Sequence, residues 1–215
     1  MTRAGLIAVV LVLLVGSAAA FAWTEKLKLA PARVAKPDYI RHYSPGRKPD
    51  PLSFVIRRAQ ALDVSVVDAD GHHVATLAEG KDERAGRVSF LWDGKNDAGE
   101  PVPDGVYRLK VRLHDERRTI LIPSTIHVDT TAPKARILGV RSIDGIAVRY
   151  SSDESARPLL LLDGKVVLRG DHHRPGDARV RWPGPVPSGS HQVTLVLVDR
   201  AGNRSQPTAP VTVVG

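Results

Sequence analysis

The chain has 215 residues, no cysteine and a formal net charge of +8 at pH 7. The lack of cysteine excludes disulfide bonds, thiolate metal sites and a cysteine nucleophile. A hydrophobic fraction of 42% argues against wholesale disorder. The 18 glycines and 16 prolines favour strands and turns over helices, and the length suits one large domain or two small ones.

The positive charge is concentrated near the N-terminus. A net charge of this size suggests nucleic acid or another anionic partner when it is spread over a whole chain. Residues 24–48 carry seven bases and two acids, whereas residues 49–215 carry 23 bases and 21 acids. The body is therefore close to neutral, and aromatic residues for base stacking are few. We expect no nucleic-acid partner.

The N-terminal segment is predicted to direct export. Residues 4–23 contain no charged side chain, and a helix of that length would span the hydrocarbon core of a bilayer. The same stretch also fits a signal peptide, because Arg3 precedes the apolar run and Ala20-Phe21-Ala22 ends it. Residues 1–23 are thus predicted to be either a signal peptide or a transmembrane anchor, which holds the chain to the membrane through residues 4–23 if uncleaved. In both cases the body is expected to be extracytoplasmic, membrane-anchored or secreted.

Residues 24–51 are predicted to form a basic, proline-containing tether. Five prolines interrupt the segment, and it shows neither helical nor alternating apolar periodicity. Two roles stay open for its bases: contact with anionic lipid or a wall polymer, and simple solvation of a spacer.

Period-two alternation begins at Leu52. In residues 106–113 apolar and mostly basic side chains alternate, which predicts an antiparallel strand with one buried face. Asp70-Gly71 is predicted to be a two-residue hairpin turn, because glycine tolerates positive φ. Strands separated by regular turn signals predict an Ig-like sandwich over residues 52–129.

A second Ig-like domain is predicted over residues 134–215. Pro133, at the end of the run Asp129-Thr130-Thr131-Ala132-Pro133, marks the boundary. Strands are predicted at 137–140, 146–150, 159–162, 166–168, 180–182, 193–198 and 211–214. Short matches in the same order, such as Pro101-Val102-Pro103 with Pro185-Val186-Pro187, predict a tandem repeat. The predicted fold is all-β: two tandem Ig-like antiparallel β-sandwiches after an N-terminal hydrophobic helix.

One run of residues carries a family resemblance. It extends from Phe90 to Tyr107 as Phe-Leu-Trp-Asp-Gly-Lys-Asn-Asp-Ala-Gly-Glu-Pro-Val-Pro-Asp-Gly-Val-Tyr. This run resembles the Ig-like domain of the flagellar hook-capping protein (FlgD), a module that recurs in secreted bacterial proteins. The resemblance implies a β-sandwich, and the second half resembles a bacterial Ig-like module more loosely. A hook cap is not implied, because this chain begins with a Sec-type segment.

The residues of this motif are expected to have structural roles. Trp92 should fill the core at the end of its strand, the polar residues and glycines should turn the chain, and the prolines should keep the returning segment extended. The residues to which we assign such roles are Trp92, Asp93, Gly94, Gly99, Pro101, Pro103, Asp104, Gly105, Tyr107 and, in the second half, Trp182.

No catalytic residue, cofactor or metal site is predicted. The chain has no G-x-S-x-G, H-E-x-x-H, P-loop or G-x-G-x-x-G pattern. Oxygen donors of one loop suit calcium by type but not by spacing; they are Asp93, Asn96, Asp97, Glu100 and Asp104. The pairs His72-His73 and His172-His173 are not expected to chelate a metal ion, because neighbours on a strand point to opposite faces. We expect them to be solvated loop histidines.

The sequence favours a non-enzymatic exported bacterial protein. It is expected to present tandem Ig-like domains as a structural, adhesive or scaffold module at the cell surface. Its partner is expected to be a protein of unknown identity or a cell-envelope polymer. Two alternatives stay open: an accessory subunit of a cell-envelope or flagellar assembly, and a glycan- or calcium-binding module.

Overall fold

The computed structural model describes Ser17 and residues 34–39, 41–49 and 51–215. The chain divides into two compact units, residues 1–35 and residues 36–215. Almost all of the described residues belong to the second unit. The predicted N-terminal helix, apart from Ser17, and the first part of the predicted tether lie outside the described residues. Within the described ranges, no helix is long and apolar enough to cross a membrane.

The first eight strands form two sheets that pack face to face. One sheet has the order β1-β3-β6 and the other β2-β8-β7-β4-β5. Lys81 on β5 lies over the ring of Phe90 on β6, with 5.1 Å from Nζ to the ring centroid, and so bridges the two sheets. The strands are Val34–Asp38 (β1), His42–Tyr43 (β2), Pro51–Ile56 (β3), Gln60–Val67 (β4), His73–Glu83 (β5), Gly86–Leu91 (β6), Gly105–Leu113 (β7) and Arg118–Val128 (β8).

The remaining seven strands form another pair of sheets. One has the order β13-β10-β9 and the other β12-β11-β14-β15. Side chains from both sheets share one buried cluster, in which Val148 of β10 and Leu195 of β14 are fully buried. The strands are Ala135–Ser142 (β9), Ile146–Ser152 (β10), Ala156–Leu162 (β11), Lys165–Arg169 (β12), Gly176–Trp182 (β13), Ser190–Asp199 (β14) and Val211–Val214 (β15). Every strand predicted after Pro133 falls inside one of these.

Alternation along the strands creates the cores, as the sequence predicted. On β7, Leu109, Val111 and Leu113 are fully buried, whereas Lys110 and Arg112 between them are exposed. Each fully buried aliphatic side chain of this kind contributes about 2 kcal/mol to folding. The all-β class is therefore confirmed for the described residues, and its driving force is visible in the period-two pattern.

The strands are not all antiparallel. The two-residue strand β2 pairs parallel with β8, with His42 opposite His127 and Tyr43 opposite Val128. Backbone hydrogen bonds from His127 N–H to Arg41 C=O (2.7 Å) and from Asp129 N–H to Tyr43 C=O (2.9 Å) hold this edge. A parallel pair is allowed here because most of the first sandwich separates the two strands in sequence.

Part of the predicted tether is built into the sheets. Strand β1 belongs to one sheet of the first sandwich and β2 to the other. The expectation that residues 24–51 are only a tether is therefore wrong for Val34–Asp38 and His42–Tyr43. The sequence concealed these strands because each is too short to show alternation, and Pro37 suits an edge strand that lacks a donor.

The turn at Asp70-Gly71 is longer than predicted. Strands β4 and β5 pair Val67 with His73, which leaves a five-residue loop between them. The Asp68 carboxylate accepts hydrogen bonds from the N–H groups of Asp70 (3.0 Å) and His72 (2.8 Å), so an Asx turn replaces the tight two-residue turn. Asp163-Gly164 does form a two-residue hairpin between β11 and β12, and both residues have positive φ, 50° and 77°.

One polar atom in the second core lacks a partner. Tyr150 on β10 is fully buried, and within the described residues its hydroxyl has no hydrogen-bond partner. Burial raises the pKa of Tyr150 to about 12. In the first sandwich the hydroxyl of Tyr107, also buried, donates to the carbonyl of Pro103 at 2.7 Å.

The two tyrosines predict opposite effects of the same substitution. Tyr150→Phe removes a buried hydroxyl without a partner, and we expect the free energy of unfolding to rise by about 1 kcal/mol. Tyr107→Phe breaks a made hydrogen bond, and we expect it to fall by about 1 kcal/mol. Urea unfolding followed by tryptophan fluorescence measures both. Destabilisation by Tyr150→Phe as large as that by Tyr107→Phe would contradict this account.

Candidate functional site

An aromatic cluster closes one end of the first sandwich. Trp92 follows β6 and is 5% exposed. Its ring lies 6.2 Å from that of Tyr43, in a stacked arrangement, and 5.5 Å from that of Tyr107. The indole N–H donates to the carbonyl of Lys95 at 2.9 Å. The cluster therefore links β2 and β7 of the five-stranded sheet to the residue that follows β6 of the other sheet.

The loop after Trp92 is a narrow hairpin. Val102 N–H donates to Gly94 C=O (2.9 Å), and Asn96 N–H donates to Glu100 C=O (2.8 Å). An isolated bridge pairs Lys95 with Pro101. Proline has no backbone N–H, and the bridge at Pro101 does not require one. The hairpin returns the chain to Gly105, where β7 begins.

Gly94 occupies a position that only glycine fits. Its φ is +76°, and a β-carbon there would lie 2.7 Å from Cε1 of Tyr43 and 3.0 Å from Cγ of Pro45. Gly99 in the same loop has a φ of +79°, but a β-carbon there would meet no atom within 4 Å. Gly94 therefore lets the loop lie against the aromatic cluster, whereas Gly99 only turns the chain.

The five calcium candidates of this loop do not converge. Asp97 accepts from Thr76 N–H (2.7 Å) and contacts Nε2 of His73 (2.7 Å). Asn96 and Glu100 bond each other, and Asp93 accepts from the N–H of Lys95. Asp104 points to the linker. Among the described residues, none of the four carboxylates in this set joins a group of three or more His, Asp or Glu side chains whose ligand atoms lie within metal-binding distance of one another.

The two histidines of each adjacent pair likewise lie in different surroundings. His73 contacts Asp97 and His72 contacts Asp68 (3.2 Å), so the two rings face different carboxylates. In the second half, His173 pairs with Ala156 through backbone hydrogen bonds, and burial lowers the pKa of His172. Asp68, Asp70 and His72 do lie close together, in the Asx turn, where the Asp68 hydrogen bonds explain their proximity.

Asp104 ties the motif to the linker between the sandwiches. Its carboxylate accepts hydrogen bonds from Thr130 N–H (2.9 Å), Thr130 Oγ1 (2.8 Å) and Thr131 Oγ1 (3.2 Å). The motif thus fixes the chain just after β8, where the path towards the second sandwich begins.

Two side chains cross between the sandwiches. Arg47 donates from Nη1 to the carbonyl of Ala201 at 2.6 Å. Asn203 donates from Nδ2 to the carbonyl of Asp129 at 2.9 Å, and the same amide contacts the carboxylate of Asp199. A β-carbon at Gly202 would lie 1.9 Å from the Arg47 guanidinium, so a larger residue there would push the Arg47 side chain out of this position.

Three carboxylates meet beside this junction. Oxygen atoms of Asp129, Glu154 and Asp199 lie within 4.8 Å of one another. Desolvation by burial, together with the negative charges of Asp129 and Asp199, raises the pKa of Glu154 to about 7. Asp199 is 4% exposed, and the N–H groups of Gly202 and Asn203 donate to it. Sequence reasoning missed this group because its members are far apart in the chain.

Trp182 occupies a more open position than Trp92. It ends β13, is half-buried and packs against the second core. A β-carbon at Gly184 would lie 2.2 Å from Cζ2 of the Trp182 ring. The ring therefore covers the backbone that follows its own strand, and no second aromatic side chain is paired with it among the described residues.

Gly94 and Gly99 give a matched test of the motif. Gly94→Ala places a β-carbon against the Tyr43 ring at positive φ, and we expect a loss of about 3 kcal/mol in the free energy of unfolding. Gly99→Ala meets only the positive-φ cost, about 1 kcal/mol. Urea titration distinguishes the two, and equal losses would show that the contact with Tyr43 has no energetic weight.

The raised pKa of Glu154 predicts a pH dependence. The folded protein holds the Glu154 proton more tightly than the unfolded chain, so the stabilisation is complete below about pH 4.5 and is lost as pH rises through about 7. Solvent screening of this half-buried group limits the loss to about 1 kcal/mol. Glu154→Gln should remove the dependence, which urea titrations at pH 5 and pH 8 measure. An unchanged difference between the two pH values would contradict the assignment.

Comparison with known proteins gives one family match and several weak structural ones. Residues 51–116 match the family model described as FlgD Ig-like domain. A search of curated proteins found no significant match. The fibronectin(III)-like modules of CbhA from Clostridium thermocellum are 16% identical over 84% of this chain and 92% of that chain, with a TM-score of 0.45. FlgD from P. aeruginosa is 20% identical over 54% and 84%, with a TM-score of 0.34, and the human OSCAR ligand-binding domain is 14% identical over 84% and 96%, with a TM-score of 0.40.

The family match covers the loop that suggested the resemblance. It begins at Pro51, where β3 starts, and includes the Trp92 hairpin and all of β7. Its boundaries therefore contain the aromatic cluster except Tyr43. Residues 51–116 match the FlgD Ig-like domain model, as the motif from Trp92 to Tyr107 predicted.

Proposed function

We propose that this chain is a non-enzymatic, exported structural protein that presents two Ig-like sandwiches as a scaffold at the bacterial cell surface. The match to the FlgD Ig-like domain supports a structural module of a kind found in bacterial proteins. FlgD Ig-like and fibronectin(III)-like domains are typically non-catalytic. The export, the surface presentation and the tandem arrangement are the proposal itself.

The hydrogen-bonded junction is the observation that carries the scaffold role. Arg47 and Asn203 each span from one sandwich to the other through a backbone carbonyl, and Asp104 fixes the linker. Backbone acceptors cannot rotate away as side chains do, so these bonds restrict bending at the linker. A pair of sandwiches restrained in this way suits a spacer or a scaffold better than two independent binding modules on a flexible string.

The N-terminal sequence supports the exported location. An uncharged segment, residues 4–23, precedes the body, and a basic segment follows it. The body has no cysteine, so it needs no disulfide for stability in an oxidising compartment. Function at the surface then depends on contacts made by the faces and loops of the sandwiches.

Labelling with a membrane-impermeant maleimide tests the location. The chain has no native cysteine, so Ser188→Cys introduces a single thiol in an exposed loop of the second sandwich. We expect this variant, expressed in a bacterium, to be labelled in intact spheroplasts. Thr2→Cys, placed before the apolar segment, is the control and should be labelled only after lysis, or be lost on cleavage. Labelling of Ser188→Cys only after lysis would refute the export.

A further inference from the structure

One sheet of the second sandwich presents an arginine-rich face. On β10, the exposed Arg149 stands between Gly139 of β9 and Arg179 of β13. Two residues along, Ala147 stands between Arg141 of β9 and Arg181 of β13. Alternate residues of a strand share a face, so these four arginines point away from the core to which Val148 and Val180 belong.

The small residues make the centre of this face concave. A recess of about 480 Å³ lies among the four arginines, and Gly139, Ala147 and Ile143 also line it. Gly139 and Ala147 form the low points of their rows because they have no long side chain. The arginine side chains therefore stand around a hollow that is open to solvent.

The arginines keep their charge available. Among the described residues, none of the four forms an ion pair, and Arg181 donates only to the carbonyl of Asp144, at 3.1 Å. Arg136 extends the same face beside Ser151, and one acid, Asp177, lies opposite Ser151 at its far end. Exposed bases elsewhere do have acidic partners, such as Arg87 with Asp38 at 3.1 Å.

The chemistry of the arginine-rich face suits a linear polymer that carries carboxylate or phosphate groups. Guanidinium groups bind carboxylates and phosphates through paired hydrogen bonds. The backbones that carry Arg149 and Arg179, on neighbouring strands, lie about 4.8 Å apart, and those of Arg141 and Arg181, with β10 between them, lie about 10 Å apart. A linear polymer lying along the strands would meet one row of arginines after another. Single-stranded nucleic acid needs stacking partners, and the large exposed hydrophobic residues in the described ranges are all aliphatic. A planar lipid surface does not enter a recess, and Ile143, 75% exposed, is the one large exposed apolar side chain among the residues that line it.

We propose that this face binds a linear acidic polysaccharide of the cell envelope through its carboxylate groups. The partner class rests on the proposed function, because only an exported body meets such a polymer. The recess receives a carboxylate between Arg149 and Arg179, and the row of Arg141 and Arg181 binds the next one along. Attraction between the unpaired arginines and the polymer would be salt-dependent.

Binding of an oligouronate to the full chain tests the proposal. The purified chain, held in nanodiscs of zwitterionic lipid, is titrated with an alginate oligomer, with a neutral glucose oligomer as the reference. We expect the alginate oligomer alone to bind, and the double variant Arg149→Gln/Arg179→Gln to weaken binding about tenfold or more. The charge-matched control, Arg58→Gln/Arg84→Gln on the first sandwich, should change affinity less than about twofold, because both side chains are exposed and distant in sequence from the recess.

Ala147 allows a test in which all arginines remain. Ala147→Glu places a carboxylate between its cross-strand neighbours Arg141 and Arg181, which should pair with it and close the recess to the polymer. Ala147→Gln has the same bulk without the charge and should retain most of the binding. Equal loss in both variants would show that the recess acts by shape alone and would overturn the charge-based assignment.

Other outcomes decide against the polysaccharide. Tighter binding of a dT oligonucleotide of equal charge would assign the face to nucleic acid. Phosphatidylglycerol vesicles that bind the Arg58→Gln/Arg84→Gln control but not Arg149→Gln/Arg179→Gln, without any alginate binding, would assign it to lipid. The proposed function is tested separately by the Ser188→Cys labelling: export with equal alginate affinity in the Arg149→Gln/Arg179→Gln variant refutes this inference alone.

Discussion

The packing of Trp92 between Tyr43 and Tyr107 determines much of what surrounds it. Tyr43 lies on the edge strand β2 and Tyr107 on the interior strand β7 of the same sheet, and the indole, which follows β6 of the other sheet, packs against both. This packing requires the loop after Trp92 to approach Tyr43 closely, which is why Gly94 must lack a β-carbon. It also sets the start of β7, because the hairpin returns through Pro103, whose carbonyl accepts the hydroxyl of Tyr107. A large buried aromatic group thereby fixes the path of a loop that has few apolar contacts of its own.

The same hairpin fixes the exit from the domain. Asp104, at its end, holds Thr130 and Thr131, so the direction of the linker is coupled to the aromatic cluster. Arg47 lies just after β2, the strand that places Tyr43, and it reaches the loop after β14. The junction is therefore an extension of the first sandwich's own packing. The crowding of Asp129, Glu154 and Asp199 there opposes this order, and protonation of Glu154 relieves it.

The sequence predicted those features that depend on local pattern. Alternation located the strands after Pro133 and the buried face of β7, and the Trp-Asp-Gly run identified the domain type. Features that depend on pairing were out of reach. Strand β2 has only two residues and is held in the sheet by parallel pairing with β8. No periodicity in the sequence could predict that pairing. The Asp70-Gly71 turn is longer than predicted because the Asp68 carboxylate accepts hydrogen bonds from two backbone N–H groups. The sequence does not show which of the competing local hydrogen bonds will form. The cluster of three carboxylates at the junction brings together residues from three segments that are distant in sequence.

The distribution of charge shows the same limit at a larger scale. Residues 49–215 are nearly neutral in sum, and that sum argued against any strongly basic surface on the body. Alternation in Arg179-Val180-Arg181 already places two arginines on one side of a strand. Only the register of β10 with β9 and β13 shows that Arg141 and Arg149 join them around Gly139 and Ala147. A protein surface interacts through local potential over distances of about 8–10 Å at physiological salt, so the arginine face presents a positive potential although residues 49–215 taken together are close to neutral.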